Sequence, residues 1–330
     1  MAPGTTFDIL IVAQSGRLTY EAVLFAASLR HHAPNFDGSL YVAEPLPCAL
    51  WPNDPRISDD AARGLLKDLG ATFLPFETQH FGHAYPNGNK VEALAALPPD
   101  RPFLFFDTDT LITGAIDILP FNFDRPSASM AREDTWPDPP LYGPGHDGIW
   151  RALYAHFDIE FEPTLDLSEP HDHWERYLYF NAGWFFGRSA PAFAADMIRV
   201  MTEVQKKPIP ELASQKLYPW LDQIALPLVI AKHGGARPGP ELAGLDTTLT
   251  HHWRAMPLFF ATASDEALEK LFEVVRPNKI KKILKTYEPF KRIIYQNKGQ
   301  RIRAMFDQTA LPPGQKKIQN RIKREGLWMR

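Results

Sequence analysis

The stretch Phe103-Leu104-Phe105-Phe106-Asp107-Thr108-Asp109-Thr110 runs four apolar residues directly into an Asp-x-Asp pair. A short apolar run of this kind reads as a strand buried on both faces, and such strands belong to sheets covered by helices. The strand delivers two carboxylates to one place, and because side chains alternate along extended backbone, both lie on the same side of Thr108. Ionised carboxylates are costly to desolvate and repel at close range, so the pair calls for a divalent cation or a shared proton.

The residues before this strand repeat one pattern. Phe7 to Val12 reads as a buried strand, Ala13-Gln14-Ser15-Gly16 as a turn and Leu18 to Arg30 as a helix; Ser39 to Ala43 and Ala71 to Leu74 add strands, and Asp59 to Leu69 and Asn89 to Leu97 add helices. Strands alternating with helices predict an α/β fold with a mixed, mostly parallel sheet flanked by helices. Ligands in such sheets bind beyond the carboxyl ends of the strands, where Asp107 and Asp109 stand. From Pro120 to Tyr177 the alternation gives way to proline, aromatic, Asp and His residues, which predicts a loop-rich region. Tyr179 to Gly187 then reads as a strand with a small-residue kink, followed by helices over Pro191 to Gln205 and Trp220 to Lys232.

At 330 residues and 45% hydrophobic content the chain is long enough to bury a large core. Its single cysteine, Cys48, excludes an intramolecular disulfide and a cysteine-rich zinc site. The first residues carry no basic, apolar leader pattern, and no window approaches the ~20 apolar residues needed to span a bilayer, so a cytoplasmic protein, soluble or peripheral on the inner face of the membrane, is expected.

The net charge of −3 conceals an asymmetry: residues 276–330 hold 16 Lys and Arg against 3 acidic residues, whereas residues 1–275 hold 20 against 36. Lys279-Ile280-Lys281-Lys282-Ile283-Leu284-Lys285 interleaves cations with aliphatic residues, as would a helix on an anionic membrane surface or one packing its apolar stripe on the core. Residues 1–275 are expected to form the catalytic domain and 276–330 a basic helical extension. Nucleic acid ranks last as a partner, since the remainder is acidic and carries no nucleic-acid-binding motif.

An apolar strand ending in Asp-x-Asp-x-Thr is similar to the nucleophile motif of haloacid-dehalogenase-like Mg-dependent phosphatases, but the later lysine and paired aspartates of that family are not evident. The ordered series Phe106-Asp107-Thr108-Asp109, Tyr179-Phe180-Asn181-Ala182-Gly183, Asp222-Gln223 and His251-His252-Trp253 more closely resembles GT-A-type nucleotide-sugar glycosyltransferases, especially the retaining group that includes glycogenin and bacterial lipopolysaccharide galactosyltransferases. The resemblance spans roughly residues 7–255.

It implies a GT-A-like fold and transfer of a sugar from a nucleotide-diphosphate donor, with a UDP-sugar favoured, to a saccharide or glycolipid acceptor; the basic tail beside an acidic domain suggests an anionic, membrane-associated acceptor, such as one in envelope polysaccharide synthesis. Mn²⁺ or Mg²⁺ would be held by Asp107, Asp109 and either His251 or His252, which point to opposite faces of extended backbone. Ala13, Gln14 and Ser15 would contact the nucleotide, Asp107 the donor ribose or sugar, and Asn181 and Gly183 the sugar pocket. Asp222 and Gln223 would flank the anomeric carbon. The family's usual Gly-x-x-Lys-Pro-Trp after the histidine is replaced by Arg254-Ala255-Met256-Pro257-Leu258, so Arg254 or Lys90 would take over the contact with diphosphate. Retention of configuration is favoured over inversion, for which Asp222, or else Glu133 or Asp134, would be the base. Composition alone assigns acceptor recognition to residues 132–178, whose aromatic faces suit sugar rings and whose Asp and His suit hydroxyls, and a non-catalytic nucleotide- or sugar-binding protein of this fold is the remaining alternative.

Overall fold

The computed structural model describes residues 6–132 and 135–330. Residues 1–5, which bear on the expected lack of a leader, and Glu133 and Asp134, named as alternative bases, lie outside the described residues.

The chain opens with β1 (Asp8–Val12), α1 (Arg17–His32), β2 (Leu40–Pro45), α2 (Asp60–Asp68), β3 (Ala71–Phe76), α3 (Asn89–Leu94) and β4 (Phe103–Phe106). Every residue of β1 and β4 is buried, as their apolar runs require, with Asp8 the one charged residue among them. Next come β5 (Thr110–Ile112), β6 (Ser127–Ser129), α4 (Gly145–His156), β7 (Asn181–Gly187), α5 (Ala190–Lys206), α6 (Leu221–Lys232) and β8 (Thr250–His252). The chain closes with six helices: α7 (Met256–Thr262), α8 (Asp265–Val275), α9 (Asn278–Leu284), α10 (Glu288–Tyr295), α11 (Lys298–Arg303) and α12 (Gln315–Arg324).

The main sheet has six strands in the order β3-β2-β1-β4-β7-β6. The pairs β3/β2, β2/β1 and β1/β4 are parallel, whereas β4/β7 and β7/β6 are antiparallel. This is the mixed, mostly parallel sheet that the sequence predicts. Strand alternation divides the core between its two faces. Ile9, Ile11, Leu104 and Phe106 face α1 and the C-terminal helices. Leu10, Val12, Phe103 and Phe105 face α3, α4, α5 and α6.

One finding differs from the sequence reading, and a second decides between two readings it left open. The stretch expected to be loop-rich carries a regular element, α4, whose Ile149, Trp150, Leu153 and Tyr154 are buried; prolines and histidines around it mask its helical spacing. The apolar stripe of residues 276–330 lies within the main core: Ile280, Leu284, Phe290, Ile293, Ile302 and Ile322 are all buried. Each such side chain is worth roughly 1.5–3 kcal/mol on burial, so these helices are held by packing on the protein itself. No helix among the described residues is long and apolar enough to cross a membrane.

The strand order reverses beside β1, because the chain leaves β1 for β2 on one side and returns to β4 on the other. Loops after β1 and β4 therefore border a crevice at their carboxyl ends, the usual ligand position in such sheets.

Candidate functional site

A cavity of about 580 Å³ opens at this crevice. Val12 and Gln14 enter it from the end of β1, and Asp107 and Asp109 from the end of β4. Two ties hold the Asp-x-Asp turn: the backbone N–H of Asp107 donates to Gly183 O at 2.7 Å, and the Thr108 hydroxyl donates to Val12 O at 2.5 Å. The hydroxyl between the two carboxylates thus fastens their turn to the neighbouring strand.

The small ribbon β5/β8 brings in the histidine. Thr110 pairs with His252, and the N–H of Trp253 donates to Asp109 O at 3.0 Å. His252 Nε2 stands 3.2 Å from Asp109 Oδ1 and 3.7 Å from Asp107 Oδ2. One ligand atom from each of Asp107, Asp109 and His252 lies within 4.8 Å of the others. His251 points away: it sits edge-on to Phe259, with ring centroids 5.8 Å apart, and burial lowers its pKa. The ribbon therefore selects His252 of the two candidates, as alternation requires.

Each carboxylate has its other oxygen directed to a cation. Asp107 Oδ1 lies 2.9 Å from Lys90 Nζ, and Asp109 Oδ2 lies 3.8 Å from Arg17 Nη1. Both acids thus turn one oxygen toward His252 and the other toward a fixed positive charge. Burial alone would raise the Asp109 pKa, but His252, with Arg17 and Arg330 after it, outweighs burial and holds the carboxyl below its ordinary value.

Lys90, on α3, is almost fully buried and binds three partners: Asp107, Asp222 Oδ2 at 3.2 Å and Ala182 O at 3.2 Å. Burial would lower its pKa, yet Asp107 and Asp222 overcome that and raise it, so the ammonium stays charged. Asp222, at the start of α6, is also committed: its Oδ1 lies 2.7 Å from the Tyr85 hydroxyl, and its backbone N–H donates to that hydroxyl at 3.0 Å. Gln223 lines the cavity, and its Oε1 accepts from the Tyr179 hydroxyl at 3.0 Å.

Asn181 and Ala182, at the start of β7, also line the cavity. Asn181 Oδ1 accepts the Gly183 N–H at 2.8 Å, and a Cβ on Gly183 would meet His252 Nδ1 at 2.4 Å. Only glycine leaves room there for the imidazole. Arg254 lines the cavity with a left-handed backbone (φ 57°), and its Nη2 donates to Ala131 O at 3.0 Å.

Two residues expected at the nucleotide stand elsewhere. Ala13 is fully buried, with its N–H donated to Ala43 O, and exposed Ser15 donates its N–H to Pro55 O. Neither lines the cavity; Gln14 does, and its Nε2 is buried without a hydrogen-bond partner among the described residues. An unsatisfied amide in the cavity wall suits an absent ligand's acceptor.

The sequence reading missed Arg17, Gln315, Gln319, Trp328 and Arg330, and gave Arg132 only to the acceptor stretch; all six line the cavity. Arg17 lies one turn beyond the Gln14 loop and carried a weak positional signal; the four C-terminal residues come from a distant segment and carried none. A second cavity, of about 520 Å³, is lined by Trp136, His146, Trp174 and Trp220, and Trp220 also lines the first.

The Asp107, Asp109 and His252 set fits a divalent metal. Two anionic oxygens and one imidazole converge with their second oxygens already paired, and this mixture suits Mn²⁺ better than the all-oxygen preference of Mg²⁺.

The profile of the Rhodobacterales glycosyltransferase domain matches residues 9–234, ending before His252 and the C-terminal helices. No curated protein matches the chain. Among solved structures, the chain is similar to the galactosyltransferase LgtC in complex with donor and acceptor sugar analogues, at 15% identity over 73% of this chain and 79% of that one, with a TM-score of 0.44. An active-site mutant of LgtC aligns at 13% identity over 83% and 99%, with a TM-score of 0.49. The apo bifunctional glycosyltransferase WbbM aligns at 13% identity over 82% and 51%, with a TM-score of 0.45, so this chain spans about half of it.

Proposed function

The chain belongs to the Rhodobacterales glycosyltransferase domain family, and from that premise we propose that it is a GT-A-like, metal-dependent enzyme transferring a sugar from a nucleotide-diphosphate donor, a UDP-sugar being favoured, to a saccharide or glycolipid acceptor. The observation that carries this reading is the convergence of Asp107, Asp109 and His252, each acid backed by its own cation. A phosphatase built on Asp107 as nucleophile has no support, because one oxygen of that carboxylate is paired to Lys90 and the other is turned toward His252.

Asp107, Asp109 and His252 would hold Mn²⁺, or Mg²⁺ less favourably, and the bound ion would neutralise the diphosphate as it leaves. Lys90 keeps Asp107 oriented, and its charge lies close to where negative charge develops. Gln14 offers its amide to the nucleotide end, while Asn181 and Gln223 line the sugar end. Arg254, which also lines the cavity, is a second contact for the diphosphate. Tyr179 fixes the Gln223 amide by donating its hydroxyl to Oε1.

Retention of configuration is the favoured outcome. An inverting enzyme needs a carboxylate able to take the acceptor's proton, and Asp222 is nearly fully buried with both oxygens engaged by Tyr85 and Lys90. That environment supports a positioning role for Asp222 on Lys90.

The acceptor is assigned to the aromatic groove of Trp136, His146, Trp174 and Trp220, which meets the donor cavity at Trp220. Aromatic faces there suit sugar rings, and the Asp138 carboxylate offers a hydrogen bond to hydroxyls. The exposed cations of residues 276–330 support an anionic, membrane-associated acceptor of the envelope-polysaccharide kind, and a peripheral position on the inner face of the membrane.

The test is thermal denaturation against UDP- and GDP-sugars with and without Mn²⁺, followed by product analysis with the best donor. Stabilisation that requires the metal and disappears in Asp109→Asn is expected; indifference to every nucleotide sugar would sink the reading.

A further inference from the structure

The basic C-terminal region packs its apolar side chains on the core and shows its cations to solvent. Its last sixteen residues do something else. Gln315 and Gln319 from α12, and Trp328 and Arg330 beyond it, line the same cavity as Asp107, Asp109 and His252.

The segment is held there by its own packing. Ile318 and Ile322 are buried on one face of α12, which packs on α7, so Gln315 and Gln319 turn toward the cavity. Gly326 then adopts φ +65°, a left-handed conformation that ends the helix and turns the chain back. Leu327 inserts into the core, and Trp328 packs half-buried beside it, with Lys323 Nζ 5.4 Å from the indole centroid.

The cavity also needs what this segment brings. Lys90 is committed between Asp107 and Asp222, and Arg17 is bonded to Glu21 at 2.6 Å and 2.7 Å, which leaves Arg254 to meet the diphosphate from the His252 side. A diphosphate carries more negative charge than a divalent ion bound to two carboxylates offsets. Arg330 lines the cavity and makes no hydrogen bond or ion pair among the described residues.

We propose that residues 315–330 are a component of the donor site, in which Arg330 binds the nucleotide's diphosphate and Trp328 forms the wall against which the nucleotide is held. This rests on the reading of the cavity as a nucleotide-diphosphate site. It adds Arg330 to Arg254 as a diphosphate contact, and places that further contact on a segment about 75 residues along from Arg254, outside the matched profile.

The experiment is calorimetric titration of UDP and of GDP, each with Mn²⁺, into the full chain and into Arg330→Gln, Trp328→Ala, Trp328→Phe and Arg324→Gln. Arg324 is exposed on α12 and does not line the cavity, so its variant removes the same charge from the same segment. For whichever nucleotide the parent binds, Arg330→Gln is expected to weaken binding about tenfold or more, the size of a lost hydrogen bond to a charged group. Trp328→Ala should weaken it about fivefold or more, with Trp328→Phe recovering most of the loss and Arg324→Gln binding like the parent. Parent-like binding by Arg330→Gln, or equal weakening in Arg324→Gln, would overturn the proposal and leave the donor site standing. A parent chain that binds neither nucleotide overturns the donor-site reading, and this proposal with it. Arg330 is exposed, so its variant keeps the fold in every case.

Discussion

A methyl group on Gly183 would stand 2.4 Å from Nδ1 of His252, so the glycine of the Asn-Ala-Gly motif and the histidine of the late His-His pair occupy space that only one side chain can fill. Gly183→Ala is therefore expected to displace His252 from Asp107 and Asp109. Displaced supporting geometry at a metal site typically costs about 10- to 100-fold in metal affinity. Mn²⁺ titration of activity should show a raised half-saturation concentration, and excess Mn²⁺ should restore part of the turnover. A variant with parental Mn²⁺ dependence would mean that His252 is not a ligand.

Removing Lys90 strands two acids. Lys90→Met leaves Asp107 and nearly buried Asp222 without their shared cation, and breaking a buried pair in this way costs about 3–5 kcal/mol. Equilibrium urea denaturation should register that loss, with activity abolished. Adding Asp222→Leu should recover at least half of the stability, since the uncompensated charge goes with it, yet activity should stay absent. Recovery of activity in the double variant would contradict the role given to Lys90.

Glu21 makes stability depend on pH. Burial first, and then the charge of Asp109, push its carboxyl up from 4.5 to about 8, although Arg17 acts against them. The folded pKa exceeds the unfolded one, so the unfolded chain loses the proton first and stability declines as pH rises from about 4.5 to about 8. In EDTA, the melting temperature should fall by several degrees across that window, and Glu21→Gln should flatten the fall. An equal slope in the variant would assign the effect to another group.

Deleting residues 276–330 would expose the main core, since their apolar side chains are buried in it, so the deletion should yield insoluble or unfolded protein. Any membrane contact must then use the exposed charges. Lys279, Lys282 and Lys285 are exposed, and each cation near an anionic bilayer contributes about 1 kcal/mol. Their triple replacement by glutamate should abolish salt-sensitive sedimentation with phosphatidylserine vesicles and leave the melting temperature nearly unchanged. Parental sedimentation would remove the support for a membrane position.

The sequence alone determined what local patterning can express. Four apolar residues from Phe103 made a central strand unavoidable, and the alternation of such runs with helices gave the parallel half of the sheet. Asp107 and Asp109 were legible because the strand that positions them is adjacent in the chain, and Asn181, Asp222 and Gln223 because short motifs stand in a recognisable order. The helix α4 escaped because aromatic and proline residues blur a 3.6-residue period.

Only the tertiary structure decided which distant groups meet. The choice of His252 over His251 depends on the register of β5 with β8, which no spacing in the sequence specifies. The binding of Lys90 between Asp107 and Asp222 depends on α3, β4 and α6 converging at one strand end. The fate of the basic region turned on the same kind of fact: its alternating cations and aliphatics suit a lipid surface and a protein core equally, because both are apolar planes beside water. Packing against α1 and α7 resolved that ambiguity, and in doing so carried Trp328 and Arg330 to the edge of a cavity that begins more than 300 residues earlier in the chain.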